Sequence, residues 1–337
     1  MSYRFKLHEP LADGVVRIGD EQIKLAAKQL EAGRDLHKGV HQARKALKRI
    51  RALLRLVRPV LRRKHFERVD GRFRHIARQL AGVRDVQAKL ECIALLEARF
   101  GAMGHNTAIG RARPALLERR ESLERETNGH AYDWANHALI TSRQHFQDLQ
   151  IEGDGYAAIG PGLAACYRRG RRGMGRAFAG QQPSQFHDWR KSVQHHWRHL
   201  QLLCAAWPEE IGARIALTRD LSEILGQDHD IAMLVQHLSG SRGRYGGASV
   251  LRDVKALCGQ RQMELRALAR PRGDRLFAEP ARDFAGRMES YWRSARYWVP
   301  AEHPGVASSA EPPSEQPSEP PSQRHGPAIR NGRNRIH

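Results

Sequence analysis

Between Asp35 and Glu67 the chain has no acidic residue but eleven Lys or Arg. Set on a helix at ~100° per residue, His41, Arg44, Lys45, Lys48, Arg51, Arg55 and Arg58 fall on one side. Ala43, Leu47, Ile50, Leu53, Leu54, Val57 and Leu61 fall on the other. At ~1.5 Å rise per residue the basic face is about 25 Å long. Arginine offers forked donors and lysine a compact charge, so such a row can grip a run of anionic oxygens. Like charges at i,i+4 destabilise a helix by about 0.2–0.5 kcal/mol per pair, and a face kept only for solvation would alternate sign to avoid this. The spacing therefore points to an anionic ligand.

The pattern occurs twice. Val40–Leu56, VHQARKALKRIRALLRL, aligns with Phe186–Leu202, FHDWRKSVQHHWRHLQL, at an offset of 146, which sets His41, Arg44 and Lys45 on His187, Arg190 and Lys191. Leu80–Asp85 (LAGVRD) aligns with Leu225–Asp230 (LGQDHD) at an offset of 145. Two matches in the same order indicate a duplication, with halves of roughly 1–150 and 151–300. The second basic face is diluted: His187, Arg190, Lys191 and Arg198 share it with Gln194 and Gln201, while Trp189, Val193, Leu200 and Leu203 form the apolar stripe. His196 lies within that stripe and reads as a core histidine with a satisfied hydrogen bond. His195 and His199 have an i,i+4 spacing that could hold a transition metal, but no nearby carboxylate or cysteine completes a ligand set. Asp85 and Asp230 read as helix N-caps, and Gly82 and Gly226 as left-handed ends of the helices before them. Arg84 and His229, one residue before each Asp, could face the charged cleft.

The elements that carry these residues are helical. Apolar residues recur at three- and four-residue spacing almost throughout, and sustained alternation rich in Val, Ile and Thr is missing. Breakers at Pro10, Gly33, Pro59, Gly101–Gly104, Gly153–Gly155, Pro183, Pro208, Gly246–Gly247, Pro271 and Gly273 divide the chain into about ten to twelve expected helices and no sheet. Residues 303–337 hold seven of the sixteen prolines and no aromatic residue, a composition expected to be disordered. The expected organisation is an all-α unit over 1–300 followed by a Pro/Ser-rich tail over 301–337.

The 337 residues carry a formal net charge of +21 and a pI near 10.7. That excess opposes compaction through self-repulsion and implies a partner that supplies negative charge. No stretch approaches the ~20 apolar residues of a membrane span, and the first residues have no secretory apolar core, so a cytoplasmic location without membrane contact is expected. Cys92, Cys166, Cys204 and Cys258 form no C-x-x-C pair and read as core thiols. No P-loop, dinucleotide-binding glycine motif or nucleophile elbow is present. The expectation is a binding protein rather than an enzyme, with neither cofactor nor metal.

VHQARKALKRIRALLRL, GLAACYRRGRRGM (Gly162–Met174), FHDWRKSVQHHW (Phe186–Trp197) and LGQDHDIAML (Leu225–Leu234) together resemble the CHAD family, the conserved histidine α-helical domain. The resemblance covers about residues 10–300. It implies two helical bundles related by a pseudo-twofold, with the basic helices facing a central positive groove, and inorganic polyphosphate as the ligand. The contacts it implies include His41, Arg44, Lys45, Lys48, Arg51, Arg55, His187, Arg190, Lys191 and Arg198. Arg84 joins them on the reading of the second motif. Gln194 stands where the family usually has Lys, which implies a weaker grip in the second half. The E-x-E-x-K motif of the CYTH triphosphatase domain, which often precedes a CHAD domain, is not found. Physics agrees with this ligand: a polymer of phosphates offers no base, and the basic face of His41–Arg58 has no aromatic platform for stacking. A nucleic-acid backbone is the competing polyanion, and a metal-binding or phosphohistidine role is a further rival suggested by eighteen His. On the polyphosphate reading the protein would gather at polyphosphate granules.

Overall fold

The computed structural model describes residues 3–31, 36–101, 107–126, 132–240, 245 and 247–297. The residues expected to form the disordered tail lie outside the described ones. Eleven α-helices are seen among the described residues: α1 Leu11–Gln29, α2 Leu36–Leu56, α3 Arg63–Gln79, α4 Gly82–Phe100, α5 Ala108–Glu126, α6 Asp133–Gln147, α7 Gly155–Gly180, α8 Pro183–Leu203, α9 Pro208–Gly240, α10 Ala248–Leu276 and α11 Ala281–Tyr297. Short 3-10 turns follow α2 (Arg58–Val60) and α8 (Cys204–Ala206). Among the described residues the only β pairing is an isolated bridge between Leu61 and Ile151. The fold is all-α, as expected.

The two motif-bearing helices, α2 and α8, are the same length, 21 residues each. The apolar stripe of α2 is fully buried: Ala43, Leu47, Ile50, Leu53, Leu54 and Val57. It packs against α1 and α3, while α8 packs against α7 and α9. α8 opens with Pro183 in its first turn and a capping box between Gln182 and Gln185, which meets orphan backbone donors at its start. The two helices also meet each other, where His199 Nε2 bonds the Ala52 carbonyl at 2.9 Å. α7 crosses the end of α2 at Gly162, where any Cβ would collide with the Leu56 carbonyl. The His199–Ala52 bond ties the two helices directly, and α7, which packs on both, links them a second time.

Three sequence expectations fail here. Pro271 and Gly273 do not end a helix but lie inside α10. Gly273 is instead a packing residue: a Cβ there would sit 2.7 Å from Met174 Sδ and 2.8 Å from the Trp189 ring. That close approach and the length of α10 outweigh the one hydrogen bond Pro271 forfeits. Asp230 and Gly226 lie in the interior of the 33-residue α9, so neither caps nor ends a helix. α4 begins at Gly82, after a residue with no side-chain cap, which leaves Asp85 inside the first turn.

Candidate anion-binding site

α3 holds the cations of α2 in place. Asp70, buried on its inner face, binds Arg51 Nε at 2.9 Å, Arg74 Nη2 at 2.7 Å and Arg55 Nη2 at 3.5 Å. Burial alone would raise this carboxyl's pKa, but the hydrogen bond from Arg51 and the charges of Arg51 and Arg55 hold it below the ordinary value. One carboxylate thus orders three guanidiniums and leaves a local excess of positive charge. Further up α2, Arg44 Nη1 donates to the Ala77 carbonyl at 2.9 Å.

Lys48 is differently placed. It has no ion-pair partner among the described residues. Burial of its surroundings, then the charges of Arg198, Arg190, Arg44 and Arg84, push its pKa down to about 7. Its side chain nonetheless reaches solvent. A group with water access at its tip and protein around its stem can show both properties. The cations that act on it come from α2, α4 and α8, hence from both halves of the chain. His41 joins the same group: burial and the charges of Arg84, Lys45 and Lys48 lower its pKa to about 4. Arg84 Nη1 itself reaches both carboxylate oxygens of Glu91 at 2.8 Å.

On α8 the equivalent residues lie against rings and carboxylates. His187 stacks on His229 with centroids 4.2 Å apart. Arg190 lies against α9 at Gly226, with Nη2 3.6 Å from where a Cβ would stand, an ordinary van der Waals separation. Burial lowers the Arg190 pKa, and the nearby Asp230 opposes the shift. Lys191 pairs with Asp188 at 3.0 Å and is exposed. Arg198 donates to the Gln194 carbonyl at 2.8 Å and covers the Trp197 ring at 5.0 Å. His229, between α8 and α2, is depressed to about 3 by burial and then by Arg190, His187, Lys191 and Lys48.

All eleven candidate residues are described, and the structure gathers them into two adjoining groups. His41, Arg44, Lys45, Lys48, Arg84, His187, Arg190, Lys191 and Arg198 form the first. Arg51 and Arg55 form the second, bordered by His195, whose pKa is held well down by burial and by Arg55. His196 is buried as expected but lacks its expected hydrogen bond: neither ring nitrogen has a partner among the described residues. The ring packs on Tyr167 and Phe284 instead, at 5.4 and 5.3 Å, which explains why it tolerates this only as neutral imidazole. His199 directs Nε2 to Ala52 rather than to a metal, and no metal-sized cluster of ligands occurs among the described residues. Sequence reasoning missed Asp70, although a lone carboxylate among Phe66, Val69 and Phe73 on the apolar face of α3 was a usable signal.

The CHAD domain model matches residues 17–239. The chain belongs to this family. PptA from Streptomyces chartreusis has a similar structure, with a TM-score of 0.58 at 15% identity over 80% of this chain and 100% of that one. At that identity the likeness concerns the CHAD fold alone. Comparison with curated proteins gives no match. The matched segment contains both basic helices and both Leu-x-x-x-Arg/His-Asp motifs, so the cation cluster lies within the CHAD domain. No described helix is long and apolar enough to cross a membrane.

Proposed function

We propose that this CHAD chain binds inorganic polyphosphate without transforming it, in a basic groove formed by α2, α4 and α8. The observation that carries the reading is Lys48. A lysine with no ion-pair partner among the described residues, crowded by four arginines from three helices, is an unfavourable arrangement in the free protein. A polyanion relieves it. The helices are braced to hold this repulsion, by Asp70 on one side and by the His199–Ala52 bond on the other.

The choice of polyphosphate over nucleic acid rests on the lack of an open ring beside the cluster among the described residues. The rings nearest the cluster are occupied: Trp197 carries the Arg198 guanidinium, and His187 and His229 stack on each other. Single-stranded nucleic acids bound without sequence preference are usually gripped through open aromatic faces as well as charge. The same reading places the protein where polyphosphate accumulates, including granules.

Competition between long-chain polyphosphate and duplex DNA for the purified chain, across a salt series, tests the proposal. Polyphosphate is expected to displace DNA at every salt concentration. Preferential retention of DNA would make the protein a nucleic-acid binder.

A further inference from the structure

α1 and α7 bury the same pattern of positions. Leu11, Gly14, Val15, Ile18 and Gly19 correspond to Ile159, Gly162, Leu163, Cys166 and Tyr167, all buried. In this register the next turns differ in charge. α1 has Asp20, Glu21, Lys24 and Lys28, whereas α7 has Arg168, Arg169, Arg172 and Arg176. The α1 set is neutralised internally: Asp20 pairs with Lys24 at 2.8 Å and with Arg143 at 2.6 Å, and Glu21 with Arg17 at 3.4 Å. The α7 arginines are exposed, α7 contains no acidic residue, and none of the four has an ion-pair partner among the described residues.

Such a ridge costs helix stability, because Arg168, Arg172 and Arg176 repeat a like charge every four residues. It is also continuous with the candidate site. α7 packs on both α2 and α8, with Gly162 against the Leu56 carbonyl and Cys166 Sγ 3.8 Å from the Ser192 carbonyl, and Arg169 is close enough to Arg55 and His199 for its charge to act on both. From Arg169 to Arg176 the ridge runs about 10 Å along the helix at ~1.5 Å per residue.

We propose that the α7 ridge is a second segment of the polyanion site, entered from the α2–α8 cluster past Arg55 and Arg169, and occupied only by polymers longer than that cluster accommodates. The ligand class is a linear polyphosphate of extended length, and the ridge gives the protein a preference for long chains. This rests on the reading of the α2–α8 cluster as a polyphosphate site.

The test uses Arg168→Gln/Arg172→Gln/Arg176→Gln in the full chain, with Arg252→Gln/Arg282→Gln/Arg293→Gln as a control that removes equal charge from exposed positions elsewhere. Both are measured against tripolyphosphate and long-chain polyphosphate over a salt series, after circular dichroism has shown both to be folded. The ridge variant should lose ~10-fold or more in affinity for the long polymer. Its log–log salt slope should shrink by about two to three, since each cation contacting a phosphate releases a counterion. Tripolyphosphate binding should change less than ~2-fold, and the control should behave like the parent. An unchanged salt slope, equal losses for both ligands, or equal losses in the control would overturn the ridge while leaving the central site standing. A parent chain that bound neither ligand would overturn the polyphosphate reading and the ridge with it.

Discussion

α2 and α8 carry the same motif at the same length, yet α2 presents charge and α8 buries titratable rings. Lys48 of α2 lacks an ion-pair partner among the described residues, and Arg51 and Arg55 share one carboxylate with Arg74. At the position equivalent to Lys48, α8 has Gln194, and Lys191 is paired with Asp188. In exchange α8 and α9 contain His187, His195, His196, His199 and His229, all with depressed pKa, while α2 contributes His41. Duplication has thus left one helix as the main source of free charge and the other as its partly neutral wall. Two copies of one motif need not do one job twice.

The sharpest way to break this comparison is charge reversal. Lys48→Glu places a carboxylate among Arg44, Arg84, Arg190 and Arg198, so polyphosphate affinity should fall by ~100-fold or more while the melting temperature holds or rises. Lys191→Glu removes a cation already offset by Asp188 and should cost less than ~5-fold. Isothermal titration on both variants checks the ranking, and equal losses would erase the distinction between the halves.

Asp70→Asn should be next in size and should act on stability. It strips the partner from Arg51, Arg55 and Arg74, and breaking a buried pair costs about 3–5 kcal/mol. Water reaches all three guanidiniums here, which reduces the expectation to about 1–3 kcal/mol. Because the folded pKa of Asp70 lies below its unfolded value, this contribution is present above about pH 4 and fades as pH falls through the folded pKa. Urea unfolding of parent and variant at pH 7 and pH 3 would show it: a difference as large at pH 3 as at pH 7 would contradict the pairing.

The histidines make a smaller and opposite kind of statement. Their folded pKa values lie below the unfolded value near ~6.5, so between the two the unfolded chain binds more protons and stability rises with pH. Acidification from pH 7 to pH 5 should therefore destabilise the protein, mainly through α8 and α9. His196, depressed to about 3, should account for close to one proton of this, which His196→Phe would remove from the pH slope of unfolding. A slope unchanged by that substitution would mean that His196 is not held neutral.

The smallest effect concerns His41. Its pKa near 4 in the free protein reflects burial first and then Arg84, Lys45 and Lys48, and a bound polyanion would offset those charges. Binding should take up a fraction of a proton near pH 5.5, visible as a dependence of the calorimetric enthalpy on buffer ionisation. His41→Gln should reduce that uptake, and equal uptake in both would make His41 a bystander.

Much of this architecture was legible in the residues. The spacing of Ala43, Leu47, Ile50 and Leu54 specified which side of α2 is buried, and with it the side that carries charge. The register of the repeat located α8 and its cations. What could not be read were features set by neighbours distant in sequence. Gly273 reads as a breaker in the sequence because its partners, Trp189 and Met174, come from other helices. Asp230 reads as a cap in the sequence because the 33-residue run of α9 is specified by packing on α8 and α10 rather than by its own periodicity. Asp70 is marked in the sequence only as a carboxylate on an apolar face, and its role follows from Arg51, Arg55 and Arg74 converging on it from two helices.

The central claim is that cations from both halves form one site, and the stoichiometry of a short oligophosphate tests it most directly. Calorimetric titration with tripolyphosphate should give one ligand per chain in the parent, and that single binding event should be weakened both by Lys48→Glu in α2 and, to a smaller extent, by Arg190→Glu in α8. Two ligands per chain, with each variant losing one and keeping the other, would contradict it.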